Sequence, residues 1–268
     1  MLLVTNMITF AAVVPHSPLL IESIGKENQK HLSKTLESMN TLKENLYLSK
    51  PDVILVISSH ANRHATAFSV NLHDEYFTDF KDFGDMATKT EFGPDLDLIA
   101  QIQRAGRNSE IPVTLDSSAN LDYGTSVPLE LLVSEEMTHK IVPVSYSGLS
   151  PKEHLAFGAL LKEVLHANDK RVAVIASGDL SHCLTTDAPG GFHKDAQKFD
   201  DEIQRAVRDM SASTLLAIDD ELRDAAKSCV YEQLLILFGI LEKKKLRPEL
   251  LSYESPFGVG YLVAEFHL

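Results

Sequence analysis

Positive charge is the first thing in short supply. The chain of 268 residues sets 25 lysines and arginines against 38 aspartates and glutamates, a formal net charge of −13 at pH 7. An anionic polymer or an anionic membrane surface would be repelled, so neither nucleic acid nor membrane is expected as a partner. A small anionic ligand stays admissible where a bound cation supplies local positive charge. Cysteine is scarce as well, with Cys183 and Cys229 the two present. Two thiols without short spacing make no disulfide framework, which points to a reducing compartment and a cytoplasmic location. No apolar run approaches the ~18 residues that suggest a membrane span. Residues 1–6 carry neither a basic region nor a small-residue cleavage site, so no signal peptide is read there. With Met7 as an alternative start, they form a candidate disordered leader. Internal repeats, low-complexity tracts and a dividing Pro/Gly/Ser linker are missing too, and one domain over 1–268 is expected.

What is present is ordinary globular composition, 44% hydrophobic and 24% charged, arranged as strand, helix, strand. Short apolar runs at 8–14, 53–58, 68–72, 112–115, 141–145 and 172–177 read as strands. Helices are expected at 26–48, where Leu32, Leu36, Met39, Leu42 and Leu46 form one stripe, and at 94–107, opened by Pro94 and Asp95. Further helices are expected from Thr125, as N-cap, to about 136, and from the Ser-Pro-Lys-Glu signal at 150–153 to about 167. The segment between 73 and 91 reads as irregular and acidic. Later helices fall at 194–210, 211–216 and 229–243, and strands at 250–253 and 261–266 close the chain as a hairpin. Such alternation implies an α/β fold, a three-layer α/β/α sandwich around a mostly parallel central sheet.

Three histidines sit just past strand ends: His16 after 8–14, His60 after 53–58 and His182 after 172–177. In an open α/β sheet, ligands bind outside the carboxyl ends of the strands. Parallel strands would therefore bring three imidazoles, far apart in sequence, to one edge. That is how metal sites are built. His31, His73, His139, His154, His166 and His267 are read as ordinary surface residues, and His64 lies near His60 in sequence without a defined geometry. The Gly258-Val259-Gly260 pair precedes a strand instead of opening a helix, so it reads as turn glycines and not as a phosphate cradle.

Four motifs carry a resemblance. Val-Val-Pro-His-Ser-Pro-Leu-Leu at 13–20, Ile-Ser-Ser-His-Ala at 57–61, Leu-Asp-Tyr-Gly-Thr-Ser-Val-Pro-Leu at 121–129 and Ala-Ser-Gly-Asp-Leu-Ser-His at 176–182 resemble the class III extradiol ring-cleavage dioxygenases. More specifically they resemble the LigB-type catalytic subunit superfamily, in which Memo-like proteins are relatives. The closing Pro-Phe-Gly-Val-Gly-Tyr-Leu-Val-Ala at 256–264 is similar to the end of bacterial members. The resemblance implies a non-haem Fe(II) site of two histidines and one carboxylate, with a small aromatic, catechol-like substrate and O2. His16 and His60 match the histidine ligands, and His182 matches the acid/base histidine. A metal held on one face keeps positions open for substrate and O2, and imidazole suits proton transfer near neutral pH. Asp179, three residues before His182, is a candidate to orient that ring or to neutralise its charged form.

The chain departs from the ring-cleaving pattern at two places. The third ligand commonly comes from the start of the late helix, where those relatives place a glutamate; here Ser228-Cys229 stands there, with Glu232 the nearest carboxylate. Memo-like members use a cysteine that matches Cys229. On a helix, 229 and 232 would share a face, so either residue is a candidate ligand. A thiolate would favour copper(I) or zinc over iron. The second departure is Tyr123, where ring-cleaving relatives often have a pocket-lining histidine. Tyrosine donates a hydrogen bond but is a poor proton shuttle at neutral pH. The leading expectation is an extradiol-type dioxygenase. The alternatives are a Memo-like copper or iron redox protein without ring cleavage, and a non-catalytic subunit that retains the fold. The oligomeric state stays open, with a homodimer as the base-rate choice for a homo-oligomer.

Overall fold

Strands whose residues are apolar almost without interruption need cover on both faces, and the structure supplies it. The computed structural model describes residues 7–134 and 139–268. The leader expected over 1–6 lies outside the described residues, and the helix expected to run to about 136 ends at Leu132, with Val133 extended. In chain order the first elements are β1 (Ile8–Val14), α1 (Glu22–Gly25), α2 (Ser33–Ser49), β2 (Val53–Ser58), β3 (Phe68–Asn71), β4 (Tyr76–Phe77), β5 (Glu91–Pro94) and α3 (Leu96–Arg107). Then follow β6 (Val113–Asp116), α4 (Tyr123–Leu132), β7 (Lys140–Ser145), α5 (Pro151–His166) and β8 (Val172–Ser177). The rest is α6 (Ala196–Asp209), α7 (Ala212–Leu216), α8 (Asp220–Ala226), α9 (Tyr231–Leu241), β9 (Arg247–Glu254) and β10 (Tyr261–His267).

The strands form one mostly parallel sheet in the order β4-β5-β7-β2-β8-β1-β10-β9, with β3 and β6 attached beside β7. Strand β8 lies between β2 and β1 and runs parallel to both, so these three strands end at the same edge. The expected C-terminal hairpin is there: β9 and β10 pair antiparallel, and β10 pairs antiparallel with β1. Side chains alternate across the sheet, as strand geometry requires. Phe10, Ala12, Val14, Ile54, Val56 and Ile175 face Met39, Leu42 and Leu46 of α2 and Leu129 and Leu132 of α4. Ala11, Val13, Leu55, Ile57, Val174 and Ala176 face the helices on the other side, among them α3, α5, α6 and α9. Helix α9 buries all its residues but Glu232, as a helix apolar around its whole circumference must. It crosses α5 where Gly158 meets Gly239; a Cβ on either would run into the other helix's backbone.

Several boundaries differ from the sequence reading. The segment expected to be irregular contributes β4 and β5 to the sheet; a two-residue strand and one carrying Gly93-Pro94 have no alternating signal to read. Pro94 closes β5, and Asp95 caps α3 by accepting the Leu98 N–H at 2.9 Å. The stretch 26–48 begins with a 3-10 segment, Lys26–Leu32, before α2. Asp122, not Thr125, is the N-cap of α4: its carboxylate accepts the Thr125 N–H at 3.1 Å. The capping box at Ser150 and Glu153 is formed as expected, whereas α8, not expected from the sequence, is capped by Asp219 and carries Asp220 and Glu221 in its first turn. His154, read as a surface residue, is fully buried between Ser147 and Ser150, edge-on to Phe68.

Candidate metal centre

His16 lies two residues beyond the last residue of β1, and His60 two beyond the last of β2. Strand β8 lies between the two, and the His16 ring reaches Ser177 at its end. Their Nε2 atoms stand 3.0 Å apart, and the Cys229 sulfur is 3.4 Å from His16 Nε2. Among the described residues, His16, His60 and Cys229 form a group whose ligand atoms all lie within 4.8 Å of one another. Nitrogen and sulfur ligands about 2.0–2.3 Å from a single ion would show separations of this size.

The protonation pattern suits a cation. The Ser177 hydroxyl, at the end of β8, gives its one proton to the Gly124 carbonyl. It can therefore only accept from His16 Nδ1, 3.0 Å away, which leaves the lone pair of His16 on Nε2, facing His60 and Cys229. Burial, reinforced by the charge of His182, lowers the His16 pKa to about 3. Burial and then the neighbouring His16 lower that of His60 to about 4. Both rings are thus neutral at pH 7, as metal ligands must be. Burial, then the Asp179 carboxylate, pushes the Cys229 thiol up to about 12; a cation against the sulfur would reverse this and bind the thiolate. The donor set of two imidazoles and one thiol fits a single transition-metal ion.

Around these three side chains the structure is closely tied. Asp179 accepts the His16 N–H at 3.0 Å through Oδ1, and its Oδ2 is 3.9 Å from His16 Nε2. Its own N–H points at the Cys229 sulfur at 3.2 Å, while its carbonyl accepts the Cys229 N–H at 3.1 Å. Burial raises the Asp179 carboxyl pKa, and the charge of His182 works against that rise. On the other side, the Ser58 hydroxyl accepts the His60 N–H at 3.1 Å and donates to Asp122. Tyr123, the first residue of α4, stacks on the His60 ring at 4.0 Å and 28°, with Phe83 edge-on behind it. Gly124 follows because a Cβ there would strike the Ser58 hydroxyl and the His60 ring.

His182 stands beside the three donors and outside their group. Its N–H donates to the Ala226 carbonyl at 2.9 Å, and its Nδ1 lies 2.7 Å from the Lys227 carbonyl, to which it can only donate. Nε2 is then the free basic nitrogen. The ring nitrogen of His182 is held by the Lys227 carbonyl, while the Asp179 side chain accepts from the His16 N–H. Glu232 is not brought to the cluster. Cys229 belongs to the loop before α9, which starts only at Tyr231, so 229 and 232 never share a helical face. Glu232 stands 4.0 Å from Arg223 in a separate charged cavity. Sequence reasoning did not reach Ser58, Ser177 or the Lys227 carbonyl. The two serines close strands β2 and β8, a position that could have marked them.

A mostly parallel sheet with a two-histidine, one-cysteine cluster at its carboxyl edge defines an α/β protein of the open-sheet class with a candidate metal site. Within that class, the chain belongs to the family described as "Catalytic LigB subunit of aromatic ring-opening dioxygenase", which matches residues 10–264. It is 29% identical over 258 residues to protein CA_C1420 of Clostridium acetobutylicum, covering 93% of this chain and 55% of that protein. The chain thus spans about half the length of that relative. It is 24% identical over 187 residues to the 4,5-DOPA dioxygenase extradiol of Mirabilis jalapa, covering 67% of each. Over 91 residues it is 31% identical to a 2,3-dihydroxyphenylpropionate/2,3-dihydroxicinnamic acid 1,2-dioxygenase of Mycobacterium sp. (strain MCS), covering 32% of this chain and 29% of that enzyme. The crystal structure of uncharacterized protein JW3007 from Escherichia coli K12 shares the fold, with TM-score 0.69, 17% identity and coverage of 96% and 98% of the two chains. Among the described residues no helix is long and apolar enough to cross a membrane.

Proposed function

We propose that the protein is an extradiol-type dioxygenase, opening a catechol-like ring with O2 at a single Fe(II) held by His16, His60 and Cys229. The observation that carries this reading is the three-donor cluster itself, in a LigB-family chain. Iron held by these three residues would supply a redox-active Lewis acid. The chain's own residues do the rest. His182 Nε2 takes up a phenolic proton and later returns it, since its Nδ1–H is committed to the Lys227 carbonyl. The Asp179 carboxylate balances the charge that His182 then carries. Tyr123 packs on His60 and lines the approach, with Phe83 extending an aromatic wall for a planar substrate.

The test is to load purified protein with Fe(II) under anaerobic conditions, admit O2 and assay a panel of catechols for yellow ring-opened products. Product formation that disappears in His182→Ala while iron stays bound supports the reading. One equivalent of iron with no product from any catechol sinks it. Cys229 favours a second reading, in which the thiolate holds copper(I) or iron for redox or metal handling without ring opening. Elemental analysis after growth in iron-supplemented medium separates the two: copper at one equivalent favours the second.

A further inference from the structure

We propose that the cavity beside His60 is a subsite for a protonated amine carried on a short arm of the ring substrate, an inference that rests on the ring-opening reading above. The cavity has a volume of about 180 Å³ and is walled by Ser69, Asn71, Asp116, Asn120, Asp122 and the His60 ring. Pockets that enclose a whole small ligand run to roughly 300–1,000 Å³. This one takes a substituent while the ring itself lies against His60 and Tyr123.

Its chemistry is one-sided. No lysine or arginine lines it, and two carboxylates do. The nearby Arg63 is committed elsewhere, with its Nε on the Ser147 carbonyl at 3.3 Å and its guanidinium over Tyr146. Asp122 is occupied by Ser58 and by capping α4. Among the described residues Asp116 has one side-chain partner, His64 Nε2, at 2.9 and 3.1 Å from its two oxygens, and a carboxylate has room for more donors than that. Ser69 is 2% exposed and lines the cavity, and its hydroxyl has no hydrogen bond among the described residues. The Asn120 amide has none either. Asn71 is not free, because both ends of its amide are spent on Ser118. To an ammonium group the walls present the Asp116 carboxylate, the Ser69 hydroxyl and the Asn120 side-chain carbonyl as acceptors, the hydroxyl and the amide being able to donate as well. An ammonium group brings three donors and a positive charge to match, whereas a carboxylate arm would meet like charge.

The experiment titrates anaerobic, Fe(II)-loaded protein at pH 7 with three probes that share the catechol ring: 4-(2-aminoethyl)catechol, 4-ethylcatechol and 3-(3,4-dihydroxyphenyl)propionate. Without O2 there is no turnover, and calorimetry reads equilibrium binding. The amine is expected to bind about tenfold tighter than the neutral probe, with the carboxylate weakest. Asp116→Asn should cut the amine's advantage to about twofold while leaving 4-ethylcatechol affinity and iron content unchanged. Ser69→Ala, a smaller change in case Asp116→Asn fails to fold, should weaken the amine alone by about threefold. A carboxylate probe that binds as tightly as the amine overturns the proposal, as does an Asp116→Asn protein that loses affinity for all three probes alike. Iron bound at one equivalent with no probe binding would instead remove the ring-substrate reading, and this inference with it.

Discussion

At the scale of single residues, the two imidazoles of the candidate site were legible because a strand end is a fixed place in an open sheet, and His16 and His60 stand at equivalent distances past theirs. The third donor was not, because its assignment depends on where α9 begins. A helix starting at 229 would align Cys229 with Glu232; one starting at Tyr231 separates them. The consequence is measurable. Cys229→Ala should lower metal affinity by at least tenfold, while Glu232→Ala should leave stoichiometry and affinity within about twofold of wild type. Competition with a chromogenic chelator reads both, and equal losses in the two variants would put the carboxylate back in contention. Ser177→Ala removes the acceptor that holds His16 Nδ1–H and with it the fixed tautomer. An affinity loss of about 10–100-fold is expected, the range for second-layer groups at metal sites. Unchanged affinity would mean that packing alone orients the ring.

At the scale of elements, strands β1, β2 and β8 could be read because their apolar runs are continuous. Strands β4 and β5 could not, because they pair only through tertiary context. The sequence was equally silent on Asp200 of α6, whose buried carboxylate ties that helix to two other parts of the fold. Asp200 accepts the Ser181 N–H at 2.8 Å, one residue before His182, and the Tyr253 hydroxyl of β9 at 2.7 Å. Burial raises its pKa from 3.8 to about 7, against the opposing effect of those two hydrogen bonds. The native state then holds a proton that the unfolded chain releases above pH 4. Stability therefore falls as pH rises between about 4 and 7, and the loss is complete above pH 7, by roughly 4 kcal/mol at most. Asn at this position can still accept from Ser181 and donate to Tyr253 without a titrating group. Urea unfolding of wild type and Asp200→Asn at pH 5, 6, 7 and 8 should show the variant gaining on wild type as pH rises. Parallel profiles would mean that Asp200 stays charged in the folded protein.

At the scale of the whole molecule, the three-layer architecture followed from alternating periodicities, and the closing hairpin from the Pro-Phe-Gly turn flanked by apolar runs. What alternation cannot supply is strand order, and it is strand order that makes the site: β8, late in the chain, inserts between β2 and β1. The donors accordingly come from the ends of β1 and β2 and from the loop before α9. A single ion on all three would link the sheet edge to the helical layer that packs on its other segments. Such an ion binds the folded chain far better than the unfolded one, where the ligands are scattered, and so must stabilise the fold by mass action. With free metal at a hundred times its dissociation constant the gain is about 2.7 kcal/mol, which for a chain of this size raises the melting temperature by a few degrees. Thermal melts with Fe(II) under anaerobic conditions, and with Zn(II) in air, should show that rise. Chelator should reverse it, and His60→Ala or Cys229→Ala should abolish it. A melting temperature indifferent to both ions would show that these donors, close as they are, do not act together on one cation.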